Sequence, residues 1–209
     1  MEKYYTDAII GNTNIVASYT KQGELLRMYY PNRDYKQIID FFHTGLKIND
    51  SAVVYLHQDI NNMYNQYYEE ETNILNTEIF NTYFNLKILQ TDYVAIKENI
   101  LVKKYKLTNE NTIDLNLNFL VHSGVVSSPN NRASGLCKND TLMQYNHDYT
   151  MCIFSKEKLL SSQINNTKAN IQEGYVKDKD YVGMSADSGI SYDLGVLKPK
   201  QTREFELYI

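Results

Sequence analysis

Tryptophan is absent from this chain of 209 residues, and proline and glycine are scarce, at three and nine. So few breakers leave no Pro/Gly/Ser-rich linker. A single domain spanning 1–209 is therefore expected, since all-β domains of about 200–250 residues commonly form one unit. Two cysteines, Cys137 and Cys152, are too few for a disulfide framework and are expected to be buried thiols. No apolar run approaches the roughly 18 residues of a membrane helix. Residues 1–5 lead into no apolar leader segment, so a cytoplasmic location is expected. The formal charge of −4 gives no basic footprint for nucleic acid.

Recognisable chemistry is equally sparse. His43, His57, His122 and His147 show none of the spacings of an HExxH or Cys/His metal site, and each reads as a hydrogen-bonded structural residue. Gly183-Met184-Ser185-Ala186-Asp187 lacks the second glycine of a nucleophile elbow. Asp178-Lys179-Asp180 opens like a calcium loop but lacks the later acidic residue, the glycine and the closing glutamate. The run Glu69-Glu70-Glu71 reads as a solvated turn. No metal, cofactor or catalytic residue is expected from spacing alone. The tyrosines, 19 in all, could stack on sugar rings at Tyr64, Tyr67 and Tyr68 or at Tyr29 and Tyr30, but are expected to pack the core and its rim.

What the chain does have is period-two alternation punctuated by turn residues. Residues 8–10, 15–19 and 25–30 read as three strands joined at Gly11-Asn12-Thr13-Asn14 and Lys21-Gln22-Gly23. Residues 52–56, 83–89 and 93–96 read as further short strands. Leu115, Leu117, Phe119 and Val121 alternate with Asn116, Asn118 and His122, which predicts a half-buried strand. The strand 100–107, followed by a polar turn, is expected to pair with it as a hairpin. Residues 141–145 and 149–154 read as another hairpin, and Phe205, Leu207 and Ile209, alternating with Glu204, Glu206 and Tyr208, as a closing strand. Residues 159–166 fit a strand or a short helix, and 167–191 are weakly patterned. One helix is expected after Pro31: Asp34 could cap it, and Tyr35, Ile38, Ile39 and Phe42 fall at i, i+3, i+4 and i+7.

The order of these pieces carries a resemblance. The stretches AIIGN, YPNRDY, FFHTG, ETNILNT, DTLMQYNHDYTMCI and LGVLKPKQTREFELYI together resemble the N-terminal β-sandwich domain of bacterial glycoside hydrolase family 15, the glucoamylase-like proteins. The resemblance implies an all-β fold, an antiparallel two-sheet supersandwich similar to galactose mutarotase, with at most short helices. In that family the two catalytic glutamates lie on a following (α/α)6 barrel, and inverting hydrolysis needs such a carboxyl pair. No segment of this sequence has that repeated helical period. The expectation is therefore a non-catalytic domain of an α-glucan hydrolase. Its partner would be a downstream catalytic barrel of the same polypeptide, with α-glucan as a candidate ligand. Arg33, Asp34, Tyr35, Ile38 and Phe42 are expected to form the interdomain contact. Two other readings stay open: a carbohydrate-binding module, and an aldose epimerase of the mutarotase type. The latter would need a base and an acid converging on a sheet, and His122 is the one plausible start.

Overall fold

The computed structural model describes residues 5–177 and 182–209. All its strand pairings are antiparallel, and they form three sheets. A small sheet joins β1 (Ala8–Gly11), β2 (Val16–Tyr19) and β3 (Leu25–Tyr29). β4 (Ile39–Ile48) and β5 (Val53–Tyr55) belong to a five-stranded sheet. β6 (Asn62–Tyr68), β7 (Leu75–Asn81), β8 (Leu86–Val94) and β9 (Leu101–Asn109) build one end of a nine-stranded sheet. β10 (Leu115–Val125) returns to the five-stranded sheet. β11 (Ser134–Lys138), β12 (Thr141–Tyr145) and β13 (Thr150–Ser155) extend the nine-stranded one. β14 (Leu159–Ile164) leads into a short helix, α1 (Thr167–Gln172), the one helix among the described residues. β15 (Val182–Gly183), β16 (Asp187–Leu197) and β17 (Thr202–Tyr208) finish the chain. The five-stranded sheet runs β14-β16-β10-β4-β5, and the nine-stranded sheet runs β15-β11-β12-β13-β17-β9-β8-β7-β6. The expected all-β fold is what the chain adopts, with a small third sheet beside the two large ones.

The two large sheets face each other through side chains that alternate along each strand. Phe119 of β10 sits 4.7 Å from Tyr105 of β9 and 4.6 Å from Phe205 of β17, ring centre to ring centre. Leu115, Leu117 and Val121 share that buried face of β10. The small sheet covers the inner face of β8 and β9. There Lys103 Nζ lies 2.7 Å from Asp92 Oδ1 and 4.8 Å from the Tyr19 ring centre, all three fully buried. Gln90 Nε2 donates to Asp92 Oδ2 at 2.6 Å and to the Gly23 carbonyl at 2.8 Å, completing this polar island.

Three expectations are corrected. Residues 34–45 form no helix: the chain turns at Arg33 and Asp34 and enters β4, an interior strand that pairs with β10 along nine positions. The helical period was a coincidence: of its four apolar residues, Ile39 and Phe42 are buried in β4, Ile38 is buried just before it, and Tyr35 is exposed. Residues 83–96 hold one strand, β8, not two. Strands β9 and β10 make no hairpin: β9 pairs with β8 and β17, and β10 with β4 and β16. Alternation says which face of a strand is buried but not which neighbour it bonds. Asn109 holds this crossover, its Nδ2 donating at 2.8 Å to both Ile113 O and Leu197 O.

Candidate functional site

The outer face of the five-stranded sheet carries the site. His43 and His122 stand directly opposite each other on β4 and β10, so the period of two sends both side chains to the same face. Phe41 lies on that face opposite Gly124. A β-carbon at Gly124 would come within 2.4 Å of the Phe41 ring, so the bare glycine is what lets the ring lie down beside His122, centres 4.7 Å apart. Further along the face, Leu120, Ile171 and Val176 form a small cluster under α1. Helix and sheet close tightly because residue 189 is glycine; a β-carbon there would sit 2.4 Å from Thr167 Cγ2.

His122 is held from behind. Its Nε2 donates to Asp187 Oδ1 at 2.6 Å, while Asp187 Oδ2 accepts the Thr167 backbone N–H at 2.8 Å. Burial pushes the Asp187 carboxyl upward, but the His122 and Thr167 hydrogen bonds outweigh it and leave its pKa below the ordinary value. Asp187 is therefore a carboxylate at neutral pH, which fixes the His122 ring and leaves Nδ1 as its other proton site. The near-elbow stretch contributes this aspartate, whose N–H donates to Ser185 Oγ at 3.0 Å.

On the other side, Glu24 comes from the turn before β3. His43 Nε2 lies 3.2 Å and His57 Nε2 3.9 Å from Glu24 Oε1. The two imidazoles stack with centres 4.7 Å apart. His57 is only 7% exposed in its side chain, and burial, partly countered by Glu24, lowers its pKa to about 4. It is neutral at physiological pH. The donor atoms of Glu24, His43 and His57 all lie within 4.8 Å of one another, a set that could hold a metal ion. An open cavity of about 760 Å³ links the two groups, lined by Glu24, Phe41, His43, His122 and Asp187, with Arg27, Asp40, Lys168 and Gln172 at its margins.

Sequence reasoning treated these histidines separately, and that reading is corrected: three of the four converge. The signal available was the parity of His43 and His122 on two strands, which becomes informative only once β4 is known to pair with β10. Among the interdomain candidates, Ile38 and Phe42 are buried in the core, whereas Arg33, Asp34 and Tyr35 are exposed. The stripe expected to face a partner is thus divided between core and surface. Tyr68 is committed elsewhere, its hydroxyl bonded to the Ile9 backbone. The Glu69–Glu71 run is an exposed turn. The near-calcium stretch at 178–180 lies outside the described residues.

No family model matches the chain. It is 28% identical, over 98% of its length, to an uncharacterized glycosyl hydrolase of Methanocaldococcus jannaschii, and spans about a third (34%) of that curated relative. Among solved structures, it superposes on a bacterial glucoamylase complexed with acarbose at a TM-score of 0.74 and 15% identity, covering 98% of this chain and 32% of that one. A putative aldose 1-epimerase of Escherichia coli K12 superposes at a TM-score of 0.62 and 10% identity, covering 96% of this chain and 97% of that one. The chain shares a glycosyl-hydrolase-related, mutarotase-like fold.

These matches overturn two expectations. The reading as a non-catalytic domain rested on the absence of barrel carboxylates, and the reading of a barrel as partner rested on the same ground. The E. coli protein is covered almost whole by this fold, so the fold makes up a complete protein without a barrel. The glucoamylase likeness is the more partial of the two, at a third of that chain. Among the described residues, no helix is long and apolar enough to cross a membrane.

Proposed function

We propose that the cavity binds an aldose and interconverts its anomers by acid–base catalysis, as an aldose 1-epimerase. The observation that carries this reading is the facing pair of carboxylate-backed histidines: His43 and His122, ring centres 6.0 Å apart, with Glu24 and Asp187 behind them. Two groups that each reach about 2.6–3.2 Å to a substrate atom can flank one ring carbon at such a separation. His122, its Nε2 held by Asp187, takes the proton of the anomeric hydroxyl through Nδ1. His43, beside Glu24, delivers a proton to the ring oxygen. The C1–O5 bond breaks with its electron pair passing to O5, and the C1–O1 bond becomes the carbonyl. Rotation about C1–C2 presents the other face, and reversal of both transfers closes the opposite anomer.

The walls suit a sugar. The Phe41 ring offers an apolar face, and Arg27, Gln37, Asp40 and Gln172 surround it with hydrogen-bonding groups. The name of the E. coli protein and the kinship with a glycosyl hydrolase both support a carbohydrate as the ligand. The test is a panel of freshly dissolved aldoses followed by polarimetry. The reading expects a protein-dependent acceleration of mutarotation for at least one sugar, lost in His122→Gln. Binding of a sugar without acceleration would make the cavity a carbohydrate-binding site only and overturn the catalytic reading.

A further inference from the structure

We infer that Glu24, His43 and His57 form a binding site for a divalent first-row transition ion of the zinc class, which shares Glu24 and His43 with the proposed acid–base pair and is testable without sugar. Two imidazole nitrogens and one carboxylate oxygen are the donors such ions prefer. Ligands at about 2.0–2.2 Å in tetrahedral array lie some 3.3–3.6 Å from one another. The His43 and Glu24 donors are already 3.2 Å apart, His57 stands 3.9 Å from the same oxygen, and all three donor atoms lie within 4.8 Å of one another, so turning the two stacked rings until their planes meet at one point completes the set. The site is built rather than incidental. Its side chains are 7% to 27% exposed, and they arise from three separate segments: the turn before β3, β4 and the segment after β5.

The surroundings support the same conclusion. Glu24 and His43 line both of two cavities, of about 760 and 740 Å³, and His57 lines the second, so an ion has an entry path and room for a fourth ligand such as water. With only one anionic oxygen donor group, the site discriminates against calcium and magnesium, which require oxygen-rich shells.

The experiment uses tag-free, chelator-treated full-length protein titrated with zinc by calorimetry, and with cobalt(II) followed by visible absorption. The inference expects one equivalent bound, an intense tetrahedral-type cobalt spectrum, and affinity for calcium and magnesium at least about a hundredfold weaker. Glu24→Gln and His43→Gln, at the cavity wall and checked for folding by circular dichroism, should each weaken zinc at least about tenfold. His122→Gln, outside the set, should change it less than about threefold. Failure of the folded wild type to bind one equivalent, or binding indifferent to Glu24→Gln and His43→Gln, overturns the site. Neither result bears on mutarotation, which is measured in chelator.

Discussion

Replacing Lys103 with methionine tests how the small sheet is held on the large one. The ammonium is buried with Asp92, 2.7 Å away, and the carboxylate's other oxygen has only the Gln90 amide. Methionine keeps the volume and removes the charge. Asp92 must then stay ionised without a counter-charge or take up a proton. Removing one member of a buried pair costs about 3–5 kcal/mol. Protonation sets a ceiling: neutralising a carboxyl of ordinary pKa near 3.9 at pH 7 costs about 4.2 kcal/mol, and at pH 5 about 1.5 kcal/mol. In the variant the folded state holds a proton that the unfolded state has released, so its stability relative to wild type rises as pH falls. Urea denaturation should therefore show a loss of about 3–4 kcal/mol at pH 7, shrinking by more than half at pH 5. The double variant Asp92→Asn/Lys103→Met, which leaves Gln90 an uncharged partner, should recover most of it. A loss below about 1 kcal/mol at pH 7, or one that does not change with pH, would refute this account of the pair.

Other substitutions probe the sheets and the site. Phe119→Ala should cost about 3–5 kcal/mol through lost burial and a cavity, whereas Asn118→Ser on the opposite face should stay within about 0.5 kcal/mol; denaturant midpoints decide. Gly124→Ala should drive the Phe41 ring from its place beside His122, costing about 1–3 kcal/mol in stability and lowering mutarotation more than sugar-free folding, read by comparing melting with polarimetry. Because its folded pKa of about 4 lies below the unfolded 6.5, His57 contributes stability above pH 6.5 that is lost as pH falls toward 4. In chelator, about 2 kcal/mol should disappear between pH 8 and pH 5 through this residue. His57→Gln should flatten that part of the curve.

The sequence was most informative where alternation and turn residues agreed. The inward set Leu115, Leu117, Phe119 and Val121, the hairpin of β12 and β13, and the closing strand were all readable from a period of two. Pairing was less legible. The residues that separate β9 from β10 form a polar turn like any hairpin loop, and the crossover is decided by Asn109 reaching Leu197, 88 positions away. Residues 34–45 misled because Tyr35, Ile38, Ile39 and Phe42 fit a helical period, whereas only Ile39 and Phe42 lie in β4, whose pairing with β10 shifts register between Gly124 and Val125. The site was hidden for a related reason. His43, His57, His122, Glu24 and Asp187 carry no local spacing, and their convergence is a product of strand register together with the turn that brings in Glu24. Asp187 in particular lay in the weakly patterned stretch and becomes visible only as the partner of His122.

The central claim is that two carboxylate-backed histidines move protons on and off an aldose. The most direct measurement is magnetisation exchange between the α and β anomeric protons at equilibrium, recorded for wild type, His122→Gln and His43→Gln at equal concentrations of folded protein. The account predicts exchange that rises in proportion to wild-type concentration and falls at least about a hundredfold in each variant, in line with the loss of a general acid or base. Exchange at the spontaneous rate with wild type across the common aldoses would contradict it, as would undiminished exchange in both variants.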